Sequence, residues 1–248
     1  MTKLLTCLPG LMCDHRLWQS TWPRLAAELT PTHHQFAAAD NIQAMAADVH
    51  HQITPHPDQP NQQGINLLGF SMGGYVALHY ALNQALNQAL NDALNNANTI
   101  KKLIIIAASA KGLNDEEKKQ RSQILKYLQN NRYNGINKQR IGQFVHPSHI
   151  NDPVSDIIRD MDHSLGQHTL VNQLKANIDR PPLTEQLHQL NIPVLIVGGA
   201  QDQMVKPQTL IDMGEQLPNA TVSIIEHCGH MVPLEAPQQL ATLINDFI

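Results

Sequence analysis

The chain has 248 residues, 42% hydrophobic and 15% charged, with a formal net charge of −4. That is enough apolar material for one large core, in one domain or two. The charge gives no general attraction to nucleic acid or anionic membrane, no basic run is interleaved with aromatics, and no apolar run is long enough to span a bilayer.

The opening MTKLLTCLPG is too short and too soon broken for a secretory leader. Within it, residues 3–8 (KLLTCL) read as a buried strand that ends in a tight turn at Pro9-Gly10. Residues 15–29 place Leu17, Trp18, Trp22, Leu25, Ala26 and Leu29 at mostly helical spacing, with Pro23 interrupting and starting a new turn. TPTHHQF (30–36) reads as a weaker strand. Asp40 is the expected cap of a helix through Met45 and Val49, and HPDQPNQQG (56–64) is a polar loop.

INLLGF (65–70) is the next strand, and a long helix starts at Ser71 or Met72. Its tail repeats NQAL, NQAL, NDAL, so Leu82, Leu86, Leu90 and Leu94 lie four apart on one drifting face. This Asn/Gln-rich stretch, 82–98, reads as an elongated helix packing one apolar stripe, or as a surface for a partner. Twenty Asn and 24 Gln in the whole chain supply polarity where Lys and Glu are more usual.

KKLIIIAAS (101–109), IPVLIVGG (192–199) and ATVSIIE (220–226) complete the strands. A helical stretch at 206–216 separates the last two, and 233–247 reads as a closing helix. Strands alternating with helices predict a mainly parallel sheet covered on both faces. Residues 110–185 break that rhythm with charged, amide-rich helical segments and no strand, and Pro181-Pro182 marks the return to the sheet. The expected division is a core of 1–109 and 186–248 with an inserted helical lid at 110–185. Leu113, Ile124, Leu128, Ile157, Met161, Leu165 and Leu170 are its expected core or lining residues.

The chemistry centres on Gly69-Phe70-Ser71-Met72-Gly73, a G-x-S-x-G match between an apolar strand and an Ala/Leu-rich helix. That setting strains a serine and lifts its hydroxyl above the sheet, and small neighbours let strand and helix approach. A serine hydroxyl needs a base, and the base needs a carboxylate to fix its tautomer. His230, in EHCGHMVP, and Asp202, in VGGAQDQMVKP, each follow a separate strand. The order Ser71, Asp202, His230 is that of a hydrolase triad. The oxyanion formed in acyl transfer needs backbone donors; the Met72 N–H and the Leu11 N–H, in LPGLM, are the expected pair.

Rival groups read as structural. His227 flanks the proposed base, and Cys228 reads as a buried or edge thiol. His33, His34, His50, His51 and His56 make no tetrahedral metal set, and no HExxH occurs. His146, His149, His163 and His168 fall in the lid, where a structural role outweighs substrate contact for any one of them. Cys7, Cys13 and Cys228 form neither a CxxC pair nor an even disulfide set, which favours a reducing cytoplasm.

On CLPGLMCDHRLW, GFSMGG, GGAQDQMV and CGHMVPLEAP the chain resembles the α/β-hydrolase superfamily, most of all its small cytoplasmic esterase-like members with a short helical lid. The resemblance implies an eight-stranded, mostly parallel sheet with helices on both faces. It also implies Ser71 as nucleophile, Asp202 as orienting acid and His230 as general base, with no metal or cofactor. Many members carry His-Gly where this chain has Pro9-Gly10, a departure in the oxyanion loop that leaves the triad intact. Dehalogenase-type relatives place an aspartate at the elbow, where Ser71 stands here.

The expected function is hydrolysis of a small or medium carboxylic ester with an apolar acyl part, through an acyl-enzyme. Thioesterase, carbon–carbon hydrolase or acyltransferase chemistry would use the same triad. A non-catalytic binding protein on this fold is the remaining reading, and full function without Ser71 would distinguish it.

Overall fold

The computed structural model describes residues 2–36, 39–53, 64–90 and 100–248, apart from the side chains of 87–90. Six strands form one sheet: β1 (Lys3–Leu8), β2 (Leu29–His33), β3 (Ile65–Phe70), β4 (Ile100–Ile106), β5 (Val194–Gly199) and β6 (Ala220–Ile225). Every neighbouring pair is parallel, in the spatial order β2-β1-β3-β4-β5-β6. The resemblance implies eight strands. The described residues hold six, and these are the six segments that the sequence itself marks as extended.

Because side chains alternate along a strand, each central strand feeds two cores. On one face Leu67, Ile105 and Ile196 pack with α1 (Ile42–Ile53), α2 (Met72–Leu90) and α6 (Pro207–Glu215) through Met45, Val76 and Leu210. On the other, Leu68, Ile104 and Leu195 pack with Trp18 and with Leu240 and Ile244 of α8 (Pro237–Phe247).

The chain leaves β1 for the edge strand β2 and then crosses back to β3. Strand order therefore reverses between β1 and β3, and the crevice at the carboxyl ends of such a pair is where open α/β sheets bind ligands. The loop after β1 and the turn after β3 flank that crevice.

Between β4 and β5 lie α3 (Asp115–Asn130), α4 (Lys138–Phe144) and α5 (Pro153–Ile178), with no strand among them. A capping box starts α3: the Glu117 N–H donates to Asn114 Oδ1, and Glu117 Oε2 accepts the Asn114 N–H. The segment leaves and rejoins the core side by side, with the Leu183 N–H donating to the Ala110 carbonyl at 2.8 Å. Leu128, Leu170 and Leu174 form a small apolar cluster with Met12 of the loop after β1.

Several local expectations are corrected. Residues 15–29 form two short 3-10 turns, His15–Trp18 and Trp22–Arg24, in place of helical spacing, and they bury Leu17 and Trp18. The cap of α1 is Asn41, whose Oδ1 accepts the Ala44 N–H at 2.8 Å, one residue beyond Asp40. The closing helix is broken at Ala236 into the one-turn α7 (Val232–Glu235) and α8, with Pro237 supplying a fresh first turn.

Leu82 is buried, but Leu86 is 47% exposed. A helix of 19 residues runs about 28 Å against about 20 Å for the six residues of β3, so the end of α2 passes beyond the sheet. Leu94, the rest of the stretch to 98, and residues 56–63 of the polar loop lie outside the described residues. Ile124 is 44% exposed, not part of a lid core, because α3 turns Leu125 and Leu128 inward and Ile124 outward beside Tyr127. No helix among the described residues is long and apolar enough to cross a membrane.

Candidate active site

β3 ends at Phe70 and α2 begins at Met72, so one residue makes the whole turn. That residue, Ser71, sits at φ 50°, a left-handed conformation costly for a side chain with a Cβ. Its N–H is pinned to the Ile106 carbonyl of β4 at 2.8 Å. Two glycines make the turn possible. A Cβ on Gly69 would lie 2.3 Å from the Gly73 carbonyl oxygen, and one on Gly73 would lie 2.5 Å from the Leu8 and Pro9 carbonyl oxygens.

The loop after β5 brings Asp202, and the loop after β6 brings His230. His230 Nε2 lies 3.0 Å from Ser71 Oγ, and His230 Nδ1 lies 2.8 Å from Asp202 Oδ2. A carboxylate only accepts, so Nδ1 carries the proton toward Asp202 and Nε2 presents a lone pair to the serine hydroxyl. The other carboxylate oxygen is held too: Asp202 Oδ1 accepts the N–H groups of Met204 and Val205 at 2.7 and 2.9 Å. His230 and Asp202 are 5% and 4% exposed. The imidazole lies between Phe70 and Phe144, with ring centroids 5.2 and 6.0 Å away.

The His230 loop is fastened from two sides. The Phe144 carbonyl, at the end of α4, accepts the His230 N–H at 2.7 Å and the Met231 N–H at 3.2 Å. The Glu235 carboxylate accepts the N–H groups of His146, Gly229 and Met231. Burial pushes the Glu235 carboxyl above its ordinary range, and these N–H bonds pull against that rise. Sequence reasoning did not single out Glu235, Phe144 or Gln173. Glu235 lies inside CGHMVPLEAP, while a backbone carbonyl leaves no trace in a sequence.

The loop after β1 rests on the serine turn: a Cβ on Gly10 would lie 2.8 Å from the Phe70 ring and 3.3 Å from Ser71 Cβ. Its N–H groups divide between tasks. Cys13 donates to the Gly10 carbonyl and Met12 to Gln173 Oε1 of α5, at 3.2 and 2.8 Å. The Leu11 and Met72 N–H groups have no acceptor among the described residues. Two donors beside a serine hydroxyl suit a developing oxyanion.

The rival residues take no part in this row. His227 is exposed at φ 56°, edge-on to His146. Cys228 is buried and donates to the Gly229 carbonyl, and burial pushes its thiol well up, away from the reactive thiolate. His33 receives the Trp18 Nε1–H, His50 pairs with the Tyr80 hydroxyl and His51 lies beside His50. His34 is buried against Phe36, and His56 lies outside the described residues. His146 pairs with Ser148, His149 with Asp152 and His168 with Asn172. Among the described residues no group of three or more His, Cys, Asp or Glu side chains is arranged to hold a metal.

Residues 7–243 match the family model described as "Alpha/beta hydrolase family". The chain belongs to that family. Within it, a curated relative, monoacylglycerol lipase ABHD6 of Rattus norvegicus, is 28% identical over 86 residues, 35% of this chain and 26% of that protein. An uncharacterized hydrolase, YugF of Bacillus subtilis, is 34% identical over 64 residues, 26% of this chain and 23% of that protein. The matched stretch thus spans about a quarter of the length of these relatives. A thermophilic esterase from Thermogutta terrifontis superposes with a TM-score of 0.84 at 22% identity, covering 99% of this chain and 89% of that one. The enol-lactonase from Burkholderia xenovorans LB400 gives 0.78 at 16% identity, covering 100% and 91%. Likeness at these identities establishes the fold.

Proposed function

We propose that this alpha/beta hydrolase is a serine esterase cleaving small or medium carboxylic esters through an acyl-enzyme. The observation that carries the reading is the unbroken row from Ser71 Oγ through His230 to Asp202. Esterase and lipase relatives are consistent with it.

In the proposed reaction His230 Nε2 takes the Ser71 proton while Oγ bonds to the ester carbonyl carbon. The carbonyl oxygen becomes an oxyanion held by the Leu11 and Met72 N–H groups. Asp202 stabilises the imidazolium. Collapse breaks the bond to the alcohol oxygen, which leaves with the proton from His230. Water then attacks the acyl-serine, gives its proton to His230, and the acid departs as Ser71 regains its hydrogen. The helical segment over the site serves as the lid. Leu128, Leu170, Leu174 and Met12 offer an apolar surface for the acyl part.

The test is a panel of esters of graded acyl length, with thioesters included, assayed on wild type and Ser71→Ala. Turnover of esters by wild type and none above background by the variant is the expected result. Equal rates for the two proteins across the panel would remove Ser71 from the chemistry.

A further inference from the structure

The inner face of α5 carries a polar stripe through an apolar surface. Gln173 and Asn177 are 1% and 2% exposed, between the buried Leu170, Leu174 and Ala176. Residues 173 and 177 lie about one turn apart on α5, and Arg180 follows two residues past its last helical residue. Asn177 spends its Nδ2 on the Gln173 carbonyl. The other two keep buried donors without an acceptor among the described residues: Gln173 Nε2 and Arg180 Nε. The Gln173 amide cannot be turned round to hide this, because its oxygen already receives the Met12 N–H.

Both orphans are donors, and the charge around them is positive. The Arg180 guanidinium lies 4.7 Å over the Tyr75 ring, and its Nε–H has no acceptor among the described residues. Burial and the neighbouring Arg121 of α3 push Arg180 down to about 10. Neither arginine has a carboxylate partner at ion-pair distance among the described residues. Glu117, the acid that acts on both, is tied into the cap of α3. Buried donors without acceptors are rare in folded proteins, and two so near in the chain call for a ligand rich in acceptors.

Each donor is linked to the Ser71 turn through one neighbouring residue. Gln173 is fixed to Met12, next to the Leu11 N–H, in the loop that rests on Ser71. Arg180 covers Tyr75, whose N–H donates to the Ser71 carbonyl at 3.1 Å. Residue 178, the last of the helix, is roughly 7 to 8 Å along the axis from residue 173 at the helical rise per residue, and Arg180 lies beyond it. We infer that the substrate is a carboxylate-bearing ester, a half-ester of an aliphatic dicarboxylic acid. Gln173 Nε2 meets an acceptor near the reacting carbonyl, and Arg180, with Arg121 behind it, holds the distal carboxylate. The apolar cluster of Met12, Leu128, Leu170 and Leu174 lines the methylene chain between them. This rests on the esterase reading above.

The experiment compares methyl half-esters of succinate through suberate with methyl esters of the length-matched monocarboxylic acids. Wild type is expected to favour the half-ester in kcat/KM at one or more chain lengths. Arg180→Gln should lower that ratio by about tenfold or more, as expected for losing a charge-assisted hydrogen bond. Arg180→Lys should recover part of it. Arg159→Gln, at a partly exposed arginine in the first half of α5 paired with Asp156, should leave it unchanged. A second arm measures the thermal shift of Ser71→Ala with the free dicarboxylates, and stabilisation greater than that by the monocarboxylates is expected. No half-ester preference in wild type, or a preference that survives in Arg180→Gln, would overturn the inference. Should Arg180→Gln fail to fold, the Lys variant and the thermal-shift arm decide. Dicarboxylate stabilisation without turnover of any ester would sink the esterase reading and keep the anion site. Ester turnover without preference or shift would do the reverse.

Discussion

The Phe144 carbonyl accepts the His230 N–H at 2.7 Å, and the two rings lie 6.0 Å apart. The segment between β4 and β5 is therefore joined by a main-chain bond to the loop that carries the proposed base. Gly229 makes the crossing possible, since a Cβ there would lie 2.6 Å from the His146 nitrogen and 2.7 Å from the Val145 carbonyl carbon. Gly229→Ala is expected to force these two loops apart and reduce kcat far more than it raises KM for a neutral ester. Unchanged kcat would detach the crossing from the chemistry.

Glu235 ties the same loops by accepting three backbone N–H bonds at a half-buried carboxyl whose pKa is raised by burial. A raised folded-state pKa means that the folded protein favours the protonated form. Its contribution to stability is thus full below the ordinary value of 4.5 and is lost as pH climbs through the folded value. Unfolding free energy measured across that window should fall more steeply in wild type than in Glu235→Gln. The variant should also be less stable by about 1–3 kcal/mol at the acid end, because its amide cannot accept on both sides. Parallel pH profiles would rule the account out.

Asp202→Asn keeps the shape of the pair but presents an N–H or a neutral oxygen to His230 Nδ1. The wrong tautomer then faces Ser71, and kcat should drop by roughly two to four orders of magnitude with little change in fold. Steady-state kinetics beside a circular dichroism spectrum checks this, and a drop under tenfold would count against the orienting role.

All three cysteines are buried and free, and burial pushes each thiol up, to about 12 for Cys7. Raised thiol values keep the protonated, unreactive form at neutral pH. Native protein at pH 8 should resist iodoacetamide, and Cys228→Ala should keep ester turnover within about twofold of wild type, in line with a substitution away from the reacting groups. Rapid labelling with parallel loss of activity would bring Cys228 back as a rival.

Leu128 is buried against Met12, Leu170 and Leu174, whereas Ile124 on the same helix is exposed. Leu128→Ala should cost about 2–5 kcal/mol of stability and Ile124→Ala less than about 0.5. Chemical denaturation of the two variants distinguishes them, and equal losses would mean that α3 packs the other way round.

These positions show what a sequence can carry. The strands were legible because buried parallel strands are unbroken apolar runs, as in INLLGF and KKLIII. The site was legible as three separate loops, each with a side chain of known chemistry. That Ser71 and His230, 159 residues apart, come within 3.0 Å followed only from placing each after its own strand. Three features stayed hidden. The Phe144 carbonyl acts through the main chain, which every residue possesses. Gln173 reads as one of 24 glutamines until burial singles it out. Ile124 and Leu128, four apart, share an apolar spacing, and only the packing of α3 against α5 decides which one faces inward.

The central claim is that Ser71 is the nucleophile, and covalent trapping tests it most directly. Wild type treated with a fluorophosphonate should gain one adduct, which peptide mass spectrometry locates on Ser71 within GFSMGG, and His230→Ala should label far more slowly. Absence of an adduct on native protein, or an adduct on any peptide other than the one bearing Ser71, would contradict the account.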